Sequence, residues 1–205
     1  MRFVSSLFTI SLSILLLSAC SNSAKSNSNN SPLLNADSSS ATKVKPTDTT
    51  EVSTPTELQG FCDASAAVSL APDTFIVAGD EDNILRVYKP SISQKPTSTF
   101  DLNLFLKVVP MDPEVDIEGA ARMDDKIYWI ASHGTSKNGN ARPNRRRLFA
   151  TEVKVANNKV TVVPVGKPYI DLIDDLSKSP ELKMYALDAA AKIAPKEKNA
   201  LNIEG

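Results

Sequence analysis

The chain has 205 residues, with 23 lysines and arginines against 24 aspartates and glutamates, one histidine, two cysteines and 41% hydrophobic residues. A net charge of −1 excludes a bulk electrostatic partnership with nucleic acid. Two cysteines exclude a disulfide framework, and a single histidine beside them excludes a cysteine and histidine zinc site.

The first element is "MRFVSSLFTISLSILLLSAC", with one positive charge at Arg2, an apolar run from Leu7 to Leu17 and the small-residue ending Ser18-Ala19-Cys20. An apolar core of roughly ten residues suits a signal peptide and falls short of the ~20 that span a membrane. Leu17-Ser18-Ala19-Cys20 resembles the bacterial lipobox. That resemblance implies a signal peptide over residues 1–19, cleavage before Cys20 and acylation of the Cys20 thiol with palmitate-type chains. Two or three such chains, at ~0.8 kcal/mol per buried CH₂, anchor a protein stably. The expected location is extracytoplasmic, lipid-anchored in the bacterial cell envelope. Ser21 stands where inner-membrane retention signals carry Asp, which favours the outer membrane in a host that has one.

Residues 20–58 are rich in Ser, Asn, Thr, Pro and Lys and contain no aromatic side chain. Such a composition cannot bury enough surface to offset backbone ordering, so the segment reads as a disordered tether. Residues 59–205 remain for one modest domain.

Within that domain, "DASAAVSLAPDTFIVAGDED" from Asp63 aligns with "DIEGAARMDDKIYWIASHG" from Asp116, 53 positions later. Both pass from an Asp through small residues and a turn into an alternating apolar strand, at about the spacing of one propeller blade. The first unit reads as strands at residues 67–70, 74–78 and 84–88, with turns at Pro72-Asp73 and Asp82-Asn83. The second reads as strands at 120–123, 126–132, 147–155 and 159–165, with hairpin turns at Asp124-Asp125 and Asn157-Asn158. A helical insertion follows. Ser179 is placed to cap, Pro180 and Glu181 suit a first turn, and Leu182, Tyr185, Ala186, Ala189, Ala190 and Ile193 recur at helical spacing until Pro195. Residues 170–176 add a shorter helical turn.

The chain closes on "LNIEG", residues 201–205, which repeats the "DIEG" that opens the second unit. The expected fold is mostly β, a partial β-propeller-like repeat of antiparallel four-stranded meanders with a short helical insertion, truncated at its C-terminus. On that reading Phe75, Val77, Ile127 and Trp129 pack against a blade that the chain does not contain. The sequence sets no oligomeric state.

The phrases "FCDASAAVSL", "DEDNILRVYKP", "VDIEGAAR", "YWIASHG", "RPNRRRLFATEV" and "LNIEG" resemble the N-terminal part of the bacterial domain-of-unknown-function 3616 family over about residues 60–205. The resemblance implies a propeller-like protein without an assigned reaction. The Asp/Glu-Gly-Ala phrase is similar, more loosely, to phytase-like esterase propellers.

Three groups of residues could carry function. Asp112, Glu114, Asp116 and Glu118 alternate, so in an extended segment their carboxylates share a side and either stay solvated or hold Ca²⁺ or another divalent cation. No other cofactor is evident. The loop 132–147 carries Arg142, Arg145, Arg146 and Arg147, whose planar forks suit an anionic small molecule or pairing with the acidic segment. His133 is the only histidine, with no Gly-x-Ser-x-Gly or His-Glu-x-x-His pattern around it. If the chain is an enzyme, Glu118 and His133 are the acid and base beside a cation. Two readings stand. One is a lipid-anchored binding or scaffold module, and the other is a metal-assisted phosphoester or ester hydrolase.

Overall fold

The computed structural model describes residues 56–204 apart from Cys62 and Asn158. Residues 1–55, on which the expected signal peptide, the expected acylation at Cys20 and most of the expected tether fall, lie outside the described residues, as does Gly205. Among the described residues, no helix is long and apolar enough to cross a membrane.

Two antiparallel meanders build the fold. The first runs β1 (Ala64–Ala71), β2 (Thr74–Gly79), β3 (Ile84–Lys89) and β4 (Ser93–Asp101), each paired with its sequence neighbour. The second runs β5 (Ile117–Met123), β6 (Lys126–Ala131), β7 (Leu148–Ala156) and β8 (Lys159–Tyr169) in the same way. The turns after β1, β2, β5 and β7 are those the sequence marks, and a further turn over residues 90–92 joins β3 to β4. Met123 pairs with Lys126 across a two-residue hairpin whose Asp124 has φ 55°, and Ala156 pairs with Lys159 around Asn157 at φ 51°. Asp and Asn tolerate this left-handed backbone better than other side-chain-bearing residues. The described residues thus form two four-stranded sheets and no closed ring.

Period-two alternation places one face of each sheet in a common core. Val68, Ile76 and Val87 from the first sheet meet Ile127, Trp129, Phe149 and Val160 from the second in one buried cluster. β1 packs against β5, and the Arg122 guanidinium reaches across to the Ser69 carbonyl at 2.8 Å. The short helix α1 (Asn103–Leu106) adds Leu106 to the same core.

The expectation of uncovered faces is corrected here. Ile127 and Trp129 are fully buried because each sheet covers the other. On the opposite face of the first sheet, Val77 and Tyr88 are also buried. The leading segment folds back over that face. Tyr88 Oη donates to the Gln59 carbonyl at 2.9 Å, and the Arg86 guanidinium sits 5.0 Å over the Phe61 ring. Phe75 stacks on Tyr88 with centroids 5.8 Å apart.

The helical insertion also differs from its expected form. α2 (Leu172–Lys178) is followed by a 3₁₀ segment over Pro180–Tyr185, then Ala186 at φ 46°, then α3 (Leu187–Ala190). Ser179 makes no capping bond to the backbone. Leu182, Tyr185 and Ala189 find no apolar surface to cover and stay wholly or partly exposed, and a short helix gains most of its stability from burying a face.

Candidate functional site

The acidic segment before β5 is not extended. Asp112 donates its N–H to the Val109 carbonyl at 3.1 Å in a turn, and Asp116 has φ 62°. Two buried asparagines fasten it. Asn83 accepts from the Val115 N–H at 3.0 Å and donates to the Pro113 carbonyl at 2.6 Å. Asn144 accepts from the Val109 N–H at 3.1 Å and donates to the Asp112 carbonyl. Neither asparagine stands out in the sequence, since each acts only through backbone brought near it by the fold.

The expected single row of four carboxylates is therefore split. Asp112 pairs with Arg142 at 3.1 Å, and Glu114 pairs with Arg145. Asp116, which shares Arg145 with Glu114, and Glu118 meet Asp80, which follows β2. One ligand atom from each of these three lies within 4.8 Å of the others. Asp116 and Glu118 are each only 8% exposed, and Asp80 Oδ1 is out of solvent without a hydrogen-bond partner. Arg145 is 2.8 Å from Asp116. No hydrogen bond or ion pair among the described residues reaches the Glu118 carboxylate.

The electrostatics follow from that crowding. Burial pushes the Glu118 carboxyl up to about 8, with the charges of Asp116, Glu204 and Asp80 adding and Arg145 opposing. Burial also raises Asp80, helped by Asp63 and Asp116. Glu114 is raised by burial as well, against the pull of Arg145. Glu204 belongs to the second copy of the Ile-Glu-Gly phrase, and the fold lays it near the first. Asp80 reads from sequence as a turn residue, because it lies 36 positions from Asp116 and joins it only where strand ends of two sheets converge.

His133 is fully buried at φ 55° with Nδ1 2.8 Å from the Ala131 carbonyl. Burial holds its pKa below the usual range, and the charges of Arg146 and Arg147 act in the same sense. A neutral ring facing a carbonyl carries its proton on Nδ1, which leaves Nε2 as an acceptor without a partner. The charges that act on Glu118 are carboxylates and Arg145, and those that act on His133 are two arginines. No hydrogen bond or ion pair joins Glu118 to His133 among the described residues.

The four arginines divide. Arg145 is held between Glu114 and Asp116, and Arg147 donates to the carbonyls of Pro143 at 2.8 Å and Arg146 at 2.9 Å. Arg142 and Arg146 remain half-exposed and line a cavity of about 350 Å³ with Gly134, Thr135, Gly139 and Lys192. The loop wall is set by local bonds. The Ser136 N–H donates to the Asn140 carbonyl at 2.8 Å, and Ser136 Oγ accepts the Asn140 N–H at 3.1 Å. Thr135 Oγ1 donates to the Ile193 carbonyl at 2.9 Å and ties the loop to the segment after α3. Lys192 could not be anticipated at this site, since its segment reads as part of a continuous helix.

A family model described as "Protein of unknown function (DUF3616)" matches residues 63–204. No curated protein matches the chain.

Proposed function

The chain belongs to the DUF3616 family of proteins of unknown function, and we propose that it is a lipid-anchored binding module of the bacterial cell envelope that holds a small anionic molecule. The observation that carries this reading is the convergence of Arg142, Arg146 and Lys192 on one cavity of about 350 Å³. Only two carboxylates answer those three cations. Arg142 has Asp112 at 3.1 Å, Arg146 has Asp174 at a loose 3.8 Å, and Lys192 has no ion pair among the described residues. Guanidinium forks and an ammonium in a partly enclosed cleft suit a phosphate or carboxylate group. The loop sits on a rigid sheet, which is where binding residues commonly lie. The lipobox at Cys20 and the tether behind it support the envelope placement, and the two meanders support a propeller-type scaffold. The hydrolase reading needs Glu118 and His133 as acid and base, and no hydrogen bond joins the two among the described residues.

Calorimetric titration of the full chain with inorganic phosphate and with citrate tests the binding reading, with glucose as a neutral control. Saturable binding of at least one anion, weakened tenfold or more by Arg146→Gln and by Lys192→Gln, is expected. Absence of binding to both anions, or affinities untouched by both substitutions, would sink it.

A further inference from the structure

A second site lies outside that cleft. We propose that Asp80, Asp116 and Glu118 form a Ca²⁺ site that ties the end of β2 to the start of β5. Their ligand atoms lie within 4.8 Å of one another. Two oxygens on opposite sides of Ca²⁺ at ~2.4 Å are about 4.8 Å apart, so the three carboxylates can share this ion as they stand. Mg²⁺ demands near-ideal octahedral geometry and dehydrates reluctantly, so it takes one or two carboxylates more readily than a set of three. The donor set is all oxygen, which favours a hard cation over zinc or copper.

Crowded acids alone would not make a site. Here the Glu118 side chain supplies an independent reason. It belongs to a residue 8% exposed, faces the other two carboxylates, and has no hydrogen bond or ion pair among the described residues. Asp80 Oδ1 is likewise out of solvent without a donor. The one neighbouring cation, Arg145, is already shared by Glu114 and Asp116. Four carboxylates therefore stand against one guanidinium, with Asp63 and Glu204 adding charge from the rim. Buried like charges at this spacing repel strongly unless a cation or protons sit among them. Oxygens from waters and from main-chain carbonyls would complete a coordination number of about six to eight.

The site would join distant stretches of chain. Asp80 follows the first sheet's second strand, and Asp116 and Glu118 open the second sheet. Glu204 is held beside them by the Ile203 N–H bond to the Ser132 carbonyl at 2.8 Å. An ion here would act as a cross-link between the two sheets, with the last described residues drawn in at its edge.

The test uses the full chain stripped with EDTA and titrated with CaCl₂, followed by calorimetry and by the fluorescence of the single tryptophan during melting. The expected results are one saturable site, binding of MgCl₂ at least tenfold weaker, and a melting midpoint raised by roughly 5 °C or more at a hundredfold excess over Kd. Glu118→Gln and Asp80→Asn are expected to weaken Ca²⁺ binding tenfold or more. Both should melt, metal-free at neutral pH, at or above the parent's midpoint, because each removes a carboxyl whose ionisation the folded state opposes by burial. That result separates a lost ligand from a lost fold. No binding of CaCl₂ by the parent overturns the proposal and leaves protons as the compensating charge. So does undiminished Ca²⁺ binding by both variants, and MgCl₂ or MnCl₂ binding more tightly than CaCl₂ overturns the assignment to calcium.

Discussion

The amide of Ile203 donates to the carbonyl of Ser132 at 2.8 Å, while the amide of Ser132 donates to the carbonyl of Asp116 at 2.9 Å. The end of β6 is thus held between Asp116, just before β5, and Ile203 of the second Ile-Glu-Gly phrase. Gly134 makes room for the second copy. A Cβ there would lie 2.5 Å from Asn202 Oδ1, so Gly134→Ala must push the Asn202 side chain aside and break its bond to Glu204. Faster amide exchange at Ile203 is expected, with a global loss under about 1 kcal/mol, because the obstructing atom ends a movable side chain. Unchanged exchange at Ile203 would show that this contact does not hold the segment.

Arg145 is the hinge of the acidic segment. Its guanidinium reaches Glu114 and Asp116 and also donates to the Thr135 carbonyl at 3.3 Å. Arg145→Gln should destabilise the fold by about 2–3 kcal/mol, below the usual range for a fully buried pair because Glu114 is partly exposed. Adding Glu114→Gln should recover part of that loss, as measured by urea denaturation. Failure of the double variant to recover would show that Arg145 acts through packing alone.

Much of the fold is legible in the sequence where alternation and turn chemistry agree, as in Lys126–Ala131 and the Asp124-Asp125 hairpin. β4 is not, because Ser93–Asp101 is a polar edge strand with Pro96 in its middle and no apolar face to betray it. The helix expected across residues 180–193 satisfies local spacing yet breaks at Ala186, since nothing in the tertiary fold accepts its stripe. The acidic site was half legible. Asp116 and Glu118 stand out as neighbours, but Asp80 reaches them only through sheet packing, and Asp112 and Glu114 leave because the backbone turns at Asp116.

Cys20 governs location on the proposed reading. Acylation requires the thiol, so Cys20→Ala should leave an uncleaved precursor or release the protein from membranes. Labelled palmitate should mark only the parent. Equal labelling of both proteins would refute the anchor.

Stability should fall as pH rises from 6.5 to about 8 in metal-free buffer. Glu118 titrates near 8 in the folded protein against an ordinary value of 4.5, so the folded state keeps a proton that the unfolded chain has lost. Its contribution is full below 4.5 and is lost as pH rises through 8. Asp80 and Glu114, also raised, act in the same sense, with Arg145 opposing for Glu114. His133 acts oppositely, because its folded pKa lies below 6.5 and the unfolded chain takes up the proton first. The melting midpoint should therefore rise as pH falls from about 8 to 6.5, and below 6.5 His133 offsets the Glu118 contribution. Glu118→Gln should flatten the slope between 6.5 and 8, and a slope unchanged in that variant would assign the effect elsewhere.

Trp129 tests whether the two sheets form one cooperative unit. Its indole is fully buried, lies 6.5 Å from Phe149 in a stacked arrangement, and donates Nε1–H to Thr151 Oγ1 at 2.9 Å. These contacts lie in the core shared by both sheets, so loss of the ring should weaken both together. Trp129→Ala should cost about 3–5 kcal/mol, with far-UV dichroism showing a single transition in parent and variant. Trp129→Phe keeps an aromatic ring against Phe149 but strands the buried Thr151 hydroxyl, at a cost of about 1–3 kcal/mol beyond the change in volume. Thr151→Val on that background removes the stranded group and should recover part of the loss, whereas Thr151→Val alone should destabilise by leaving the indole N–H without its acceptor. If the two substitutions simply add, the hydrogen bond contributes nothing. If the parent unfolds in two separated steps, the sheets are not one folding unit.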